Sequence, residues 1–214
     1  MPRTFGPMIT PPIRRLMIFI DGGYLRNGIR KIFDNKKMDE NIDYGKLRDY
    51  IMEVIISQGI KPELIRAYYY DAQVDASEEP YKYKKLQHYF RNVQSKKFYE
   101  LRLGRLIKTE QEPRQKGVDV LIAVDMLTKG YLKHYDIAAF LGGDDDFLDL
   151  IAAVKNLAGR RVFGFYFSHN VSERLQDCFD VESPLTKERA KAFVGPLKSR
   201  SYKLRKQARG MTNE

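Results

Sequence analysis

Residues 16–23 read Leu-Met-Ile-Phe-Ile-Asp-Gly-Gly, which is five consecutive apolar residues followed by an acid and two glycines. A short apolar run that stops at a turn signal is typical of a strand buried on both faces. The same pattern recurs at residues 64–70, which precede Asp71, and at residues 137–141, which precede Gly142. Residues 161–167 are a fourth apolar run. We therefore predict four buried strands.

Helical periodicity lies between these strands, at residues 44–58, 81–94, 118–129 and 147–158. Alternating strands and helices predict an α/β fold, a central parallel sheet with helices on both faces. Residues 98–107 fit a further strand or hairpin arm, and residues 111–116 fit a polar loop. Residues 186–209 fit either a helix broken near Gly195-Pro196 or a partly disordered arm.

The composition excludes several classes of protein. A chain of 214 residues with 43% hydrophobic residues is long and apolar enough for one domain with a core. Its single cysteine, Cys178, rules out an intramolecular disulfide, and three scattered histidines offer no zinc site. No apolar stretch approaches the roughly 18 to 20 residues that span a bilayer. With prolines near the N-terminus, we expect a cytoplasmic protein with no membrane span.

The positive charge is concentrated near the C-terminus. The net charge is +10, and the segment 187–209 has nine basic residues and one acid. Such a segment attracts polyanions by releasing their counterions. A solvated tail that only aids solubility is the alternative, but we favour nucleic acid, with Lys203, Arg205 and Lys206 as contacts.

A second basic run is interleaved with aromatic residues. Residues 81–91 read Tyr-Lys-Tyr-Lys-Lys-Leu-Gln-His-Tyr-Phe-Arg. Cations can hold phosphates while exposed rings stack on unpaired bases. The helical spacing of Tyr83, Tyr89 and Phe90 also fits rings that face the core, so the cations are the better contact candidates. These are Lys82, Lys84, Lys85, Arg91, Lys96 and Lys97.

Acidic residues follow three of the predicted strands. Asp21 and Asp71 each follow one, and Asp144, Asp145 and Asp146 follow residues 137–141 through two glycines. Ligands of open parallel sheets bind outside the carboxyl ends of the strands. Carboxylates gathered there repel one another unless a cation lies between them, and oxygen ligands without His or Cys favour Mg²⁺ or Mn²⁺.

Helix capping is the alternative role for these acids. Asp21 and one of the three consecutive acids fit N-caps of the helices that follow. Three acids exceed the need of one cap, and Asp145 is the weakest metal candidate because Asp144 and Asp146 can face the site together.

Two further acids belong to the helix predicted at residues 118–129. Asp119 and Asp125 lie about 240° apart around a helix, so they cannot both point at one metal. Asp119 in the first turn also suits the helix dipole. Asp125 lies in an apolar stretch, where it needs a partner, and it fits either a hydrogen bond to the backbone or support of Asp119.

These motifs together resemble one known family. Ile-Asp21-Gly-Gly, Lys116-Gly-Val-Asp119 with Asp125 six residues on, Leu-Gly-Gly-Asp144-Asp-Asp146-Phe, and Gly-Phe-Tyr-Phe occur in that order. The order resembles the NYN domain family of LabA-like proteins, within the PIN-like nucleases, over about residues 16–181. The resemblance implies a divalent-metal site that cuts RNA, with Asp21, Asp119, Asp144 and Asp146 as the catalytic and metal-binding residues.

The sequence departs from that family at two places. Many members have Asn where Tyr24 stands, and Asn27 one turn later is a candidate replacement. Many also have Ser-Gly-Asp-Gly-Asp-Phe where this chain has Gly142-Gly-Asp-Asp-Asp-Phe, a change that deletes no acid. Asp71, Asp125, Tyr24 and Asn27 are candidates for a supporting role around the metal.

The favoured function is a ribonuclease that depends on Mg²⁺ or Mn²⁺ and acts on RNA, single-stranded if aromatic rings stack on its bases. Lys116 is a candidate phosphate contact. The alternative is a non-catalytic RNA-binding or scaffold module. Phosphomonoester hydrolysis ranks below both, because Gly23 stands where a partner acid would be. We expect an N-terminal arm at 1–15, the domain at 16–183 and a basic tail or helix at 184–214, with a homodimer also open.

Overall fold

The computed structural model describes residues 12–77, 79–107 and 114–196. Within this part of the chain, one sheet has the strand order β4-β3-β2-β1-β5-β6-β7. Six strands are parallel, and β4 is antiparallel to β3 at one edge. The strands are β1 Ile13–Asp21, β2 Lys61–Gln73, β3 Tyr99–Ile107, β4 Arg114–Lys116, β5 Ile137–Leu141, β6 Arg161–Tyr166 and β7 Val181–Pro184.

Helices cover both faces of this sheet, so the predicted α/β fold is confirmed. They are α1 Gly22–Ile32, α2 Tyr44–Ser57, α3 Pro80–Gln94, α4 Val118–Tyr131, α5 Leu148–Asn156, α6 Glu173–Cys178 and α7 Lys187–Ala190, with 3₁₀ turns at Met38–Asn41 and Asp145–Phe147. Alternation along β2 shows the two layers. The Tyr69 ring contacts Tyr44 of α2 and Tyr89 of α3, whereas the next residue, Tyr70, donates a hydrogen bond to Asp125 of α4.

Strand order reverses between β1 and β5. From β1 the chain builds outward through β2 and β3, then returns past β1 to β5 and continues to β6 and β7. Ile20 of β1 lies beside Leu141 of β5, so the carboxyl ends of these strands are neighbours. This switch point is where open α/β sheets bind ligands.

The core is built around the two central strands and extends past residue 183, the expected end of the domain. Residues 16–20 and 137–141 are all buried. Leu185, Ala190 and Phe193 are also buried in the same core, and Val194 forms an isolated bridge with Ile42.

Some elements differ from the sequence prediction. The polar loop predicted at 111–116 is wrong at Arg114–Lys116, which forms β4 because the end of β3 offers an antiparallel partner. The short elements α6, β7 and α7 were not predicted as separate elements, and α1 was expected only as a helix capped by Asp21. Residues 1–11 and 197–214, with most of the two predicted terminal segments, lie outside the described residues. None of the helices in the described residues combines the length and the apolar character of a membrane span.

Candidate active site

Asp21 stands at the carboxyl end of β1 and caps α1. Its Oδ1 accepts a hydrogen bond of 2.9 Å from the backbone N–H of Tyr24. The pKa of Asp21 is raised to about 6. Removal from water is the largest cause, and the charges of Asp119 and Asp71 act in the same direction. The hydrogen bond from Tyr24 and the charge of Arg26 oppose the shift. Asp21 therefore caps α1 although its surroundings disfavour the ionised form of its carboxyl group.

The turn after β5 presents the consecutive acids. A Cβ on Gly143 would lie 2.4 Å from both the Tyr24 hydroxyl oxygen and the Asn170 carbonyl oxygen, so this position accommodates only glycine without rearrangement. Asp144 caps the 3₁₀ turn by accepting a hydrogen bond of 3.2 Å from the backbone N–H of Asp146, and both side chains are exposed. Asp145 instead accepts a hydrogen bond from the Ser172 hydroxyl at the start of α6.

Asp119 connects this turn to Asp21. It lies in the first turn of α4, and its side chain is exposed. Partial removal from water raises its pKa, and the charges of Asp144 and Asp146 raise it further. Asp21, Asp119, Asp144 and Asp146 therefore form a chain of electrostatic neighbours across the switch point, which we call the acid cluster.

The acid cluster fits a hydrated divalent cation better than a closed metal cage. Among the residues that the structure describes, no three His, Cys, Asp or Glu side chains lie close enough together to hold a metal ion as they stand. The donors are all carboxylate oxygens, the type that Mg²⁺ and Mn²⁺ prefer. Mg²⁺ usually keeps several waters and takes only one or two carboxylates, so it does not need a preformed set of three.

Tyr24 takes a structural position beside the cluster. Its hydroxyl accepts a hydrogen bond of 2.9 Å from the backbone N–H of Phe167, and its ring packs 5.5 Å from the Phe167 ring, centroid to centroid. Burial raises the pKa of Tyr24, so it stays protonated. Asn27 is exposed and accepts a hydrogen bond from Arg30 at 3.4 Å. The described contacts therefore do not place the Asn27 amide on an acid of the cluster.

Asp71 forms an ion pair with Arg26, a residue that no sequence motif identifies. Asp71 is 1% exposed and forms a two-pronged ion pair with Arg26, with Nη2 3.0 Å from Oδ1. Arg26 also donates to the Tyr69 hydroxyl at 2.9 Å and lies over the Tyr89 ring. A single arginine in a helix carries no motif, so only the folded arrangement identifies it.

Asp125 is also paired, with an arginine and a lysine. Its carboxylate lies 2.9 Å from Nε of Arg102 and 2.5 Å from Nζ of Lys129, and it accepts a hydrogen bond from Tyr70 at 3.1 Å. The sequence left open either a backbone hydrogen bond or support of Asp119. The described partners of Asp125 are instead side chains of β2, β3 and α4.

The predicted RNA contacts are only partly described. On α3, Lys84 and Arg91 are exposed, whereas Lys96, beyond its end, lies 3.7 Å from Asp43. Lys97 is exposed. The side chains of Lys82, Lys85 and Lys116 and all atoms of Lys203, Arg205 and Lys206 lie outside the described part.

The direction of α3 divides this basic surface. Because α3 follows β2, its first turns start from the carboxyl edge of the sheet and its last turns lead back toward the start of β3. Tyr81, in the first turn, is 84% exposed, whereas Phe90 and Val93 are buried. Some aromatics of this run thus face the core, and Tyr81 faces solvent.

Comparison with solved structures supports the fold. A protein of unknown function from Vibrio parahaemolyticus aligns with a TM-score of 0.59 and 18% identity, covering 85% of this chain and 96% of that one. A structure of Sir2 enzymes aligns with a TM-score of 0.35 and 10% identity, covering 84% and 88%, which is too distant to support an inference.

Comparison with known sequences identifies the family. No curated protein matches the chain. The family model described as the NYN domain matches residues 15–185, which is most of the chain and includes every member of the acid cluster. The chain therefore belongs to the NYN domain family, whose members are generally nucleases of the PIN-like group.

Proposed function

We propose that this protein is a ribonuclease of the LabA-like type that depends on Mg²⁺ or Mn²⁺. The observation that carries the proposal is the acid cluster at the switch point, where the charges of Asp144 and Asp146 raise the pKa of Asp119. No ion pair neutralises these acids among the side chains that the structure describes. Such an arrangement is favourable once a cation is bound.

Asp21, Asp119, Asp144 and Asp146 would hold the metal. A bound divalent cation would lower the pKa of a coordinated water and offset charge on the phosphate under attack. The chain itself supplies four carboxylates from three elements. The Gly142-Gly143 turn positions the backbone of Asp144 and Asp146, and the cap on α1 positions Asp21. Because the pKa values of Asp21 and Asp119 are raised without metal, cation binding releases protons from any fraction still protonated.

Single-stranded RNA is the proposed substrate, and the cytoplasm the proposed location. Tyr81 offers an exposed ring near the carboxyl edge, and Lys84 an exposed cation one turn further along α3. Stacking and backbone contacts of this kind tolerate many sequences. The basic segment beyond residue 196 adds positive charge in the same chain.

The test is cleavage of end-labelled RNAs, structured and unstructured, in Mg²⁺, Mn²⁺ or EDTA. We expect metal-dependent fragments from the wild type and their loss in an Asp144→Asn/Asp146→Asn double variant. Asp149→Asn is the matched control, because Asp149 is an exposed acid in the first turn of α5. Cleavage that persists in the double variant would contradict the proposal.

A non-catalytic RNA-binding or scaffold module is the second candidate. It is favoured because no three possible metal ligands lie close together among the described residues. A thermal-shift titration with Mg²⁺ separates the two candidates. If the protein is the nuclease, Mg²⁺ at ten times its Kd should raise the free energy of unfolding by about 1.4 kcal/mol. The module binds RNA in a salt-dependent manner, without cleavage and without a metal effect that depends on Asp144 and Asp146.

A further inference from the structure

Helix α4 is apolar on the side that faces away from the core. Ile122 and Met126 are buried against the sheet, whereas Val120, Val124 and Tyr131 are 64%, 56% and 64% exposed. A surface helix normally presents polar side chains to water, and a helix that is apolar all round is normally covered on all sides. The outer face of α4 therefore has the composition of an interface.

The exposed positions form one continuous line. Val120, Val124, Leu127 and Tyr131 follow the spacing i, i+4, i+7 and i+11, which keeps them on one side of a helix. Leu127 is partly buried and completes the line. We call these four residues the outer α4 stripe. Leu132, at the C-cap of α4, is also 61% exposed.

The other exposed large apolar side chains of the described structure do not share one helix face. Ile13 lies on β1, Ile56 on α2 and Tyr81 on α3, Leu157 follows α5, and Phe98 lies between α3 and β3. Scattered apolar residues are normal on protein surfaces, whereas a contiguous group marks an interaction site.

We propose that the outer α4 stripe is the contact surface of a homodimer, in which α4 packs antiparallel against α4 of a second copy. The stripe is self-complementary under a two-fold axis. An axis between Val124 and Leu127 pairs Val120 with Tyr131 of the second copy and Val124 with its Leu127, and the reciprocal pairs form at the same time. An isologous interface requires this reciprocity.

Charge complementarity selects the antiparallel direction. The first turn of α4 has Asp119 near Asp144 and Asp146, whereas Lys133 and His134 are exposed just beyond its last turn. Antiparallel packing brings the basic end of one α4 toward the acidic end of the other. Parallel packing would bring the two acid clusters together, and like charges at an interface are costly.

The size of the surface indicates a dimer that depends on concentration. The stripe is about 17 Å long, eleven residues at 1.5 Å each. At the width of one helix, about 10 Å, the stripe covers about 170 Å², which is well below the roughly 800 Å² per partner of a standard stable interface. We therefore expect dissociation at low protein concentration.

The first test is sedimentation of the full chain over about 1 to 200 µM. We expect a monomer–dimer equilibrium, and Val124→Glu should raise the dimer Kd by about 100-fold, because it buries a charge at the centre of the stripe. Ile56→Glu is the matched control, since Ile56 is 53% exposed on α2, and it should leave the Kd unchanged. A monomer at every concentration, or a dimer unaffected by Val124→Glu, would overturn the proposal.

The second test determines the direction of packing. In a Cys178→Ser background, one chain carries Val120→Cys and another carries Tyr131→Cys. The mixture should form a disulfide-linked dimer faster than either chain alone. Faster linkage between two Val120→Cys chains would show parallel packing and overturn the antiparallel arrangement.

Discussion

Two groups of acids in this molecule have opposite surroundings. Asp71 and Asp125 are 1% and 5% exposed, and each is paired with arginine or lysine. The acid cluster lies at the carboxyl edge of the sheet, and its nearest described charges are mostly other acids. Among the side chains that the structure describes, the two buried acids therefore have cationic partners, whereas no ion pair neutralises the acid cluster.

The physical cost differs between the groups. A buried charge without a partner is strongly unfavourable, so Asp71 and Asp125 must be paired for the chain to fold. Neighbouring carboxylates that remain unpaired weaken the folded state instead. Such local conflicts with stability are expected at functional sites, and four predictions test the contrast.

The largest effect is expected at a paired acid. Asp125→Asn removes the negative charge between Arg102 and Lys129 and leaves two cations close together. We expect a loss of about 3 kcal/mol in the free energy of unfolding, measured by urea denaturation. The exposed control Asp149→Asn should change it by less than about 0.5 kcal/mol. Equal effects of the two substitutions would remove the distinction between paired and unpaired acids.

The opposite sign is expected in the cluster. Because the folded state raises the pKa of Asp21 from 3.8 to about 6, ionisation of Asp21 opposes folding, and its contribution to stability is lost as pH rises through this interval. In EDTA, Asp21→Asn should therefore stabilise the protein by up to about 3 kcal/mol at pH 7, with no gain below about pH 4. Thermal unfolding at several pH values measures this. Destabilisation at pH 7 would contradict it.

The turn that holds the cluster should tolerate no side chain at Gly143. Gly143→Ala places a Cβ 2.4 Å from the Asn170 carbonyl oxygen, which is backbone and cannot rotate away. We expect a loss of about 2 kcal/mol in the free energy of unfolding. Gly195→Ala is the control, since its nearest neighbour would lie at 3.8 Å. A Gly143→Ala protein as stable as this control would show that the turn is not tightly fixed.

The smallest effect is expected at an exposed cation of α3. If Lys84 contacts RNA, Lys84→Ala should reduce the slope of log K against log salt by about 0.7, the value for one single-strand phosphate. Lys61→Ala is the control, because Lys61 is exposed at the start of β2, the opposite edge of the sheet. Filter binding at several salt concentrations measures both. Equal slopes for the two variants would remove Lys84 from the proposed interface.

Local sequence predicted the elements whose burial is continuous. The bounds of β5 match residues 137–141, because all five residues are buried on both faces of the sheet. β1 and β2 extend beyond their apolar runs, because their first residues, Ile13 and Lys61, pair with each other in the sheet while remaining exposed. β4 depends on its partner strand rather than on its own side chains, so its three polar residues gave no signal.

The candidate site was predictable only in its motif residues. Asp21 and Asp144 follow buried strands, and that position alone predicts the carboxyl edge. Partners that come from distant segments left no pattern: Arg26 finds Asp71 45 residues away, and Tyr24 finds Phe167 143 residues away. The packing of α4 against β2 and β3 likewise decides that Asp125 meets Arg102.

The central position of β1 determines the order of events during synthesis. β1 acquires β2 after a short interval, but its other neighbour, β5, begins more than a hundred residues later, as the Arg15–Asp136 ion pair across 121 positions shows. At about 5 to 20 residues per second, a ribosome needs roughly 6 to 24 s to reach it. During that time Leu16–Ile20 has an open, apolar edge that can pair with other nascent chains. Nascent chains of this protein should therefore depend on chaperones until β5 emerges.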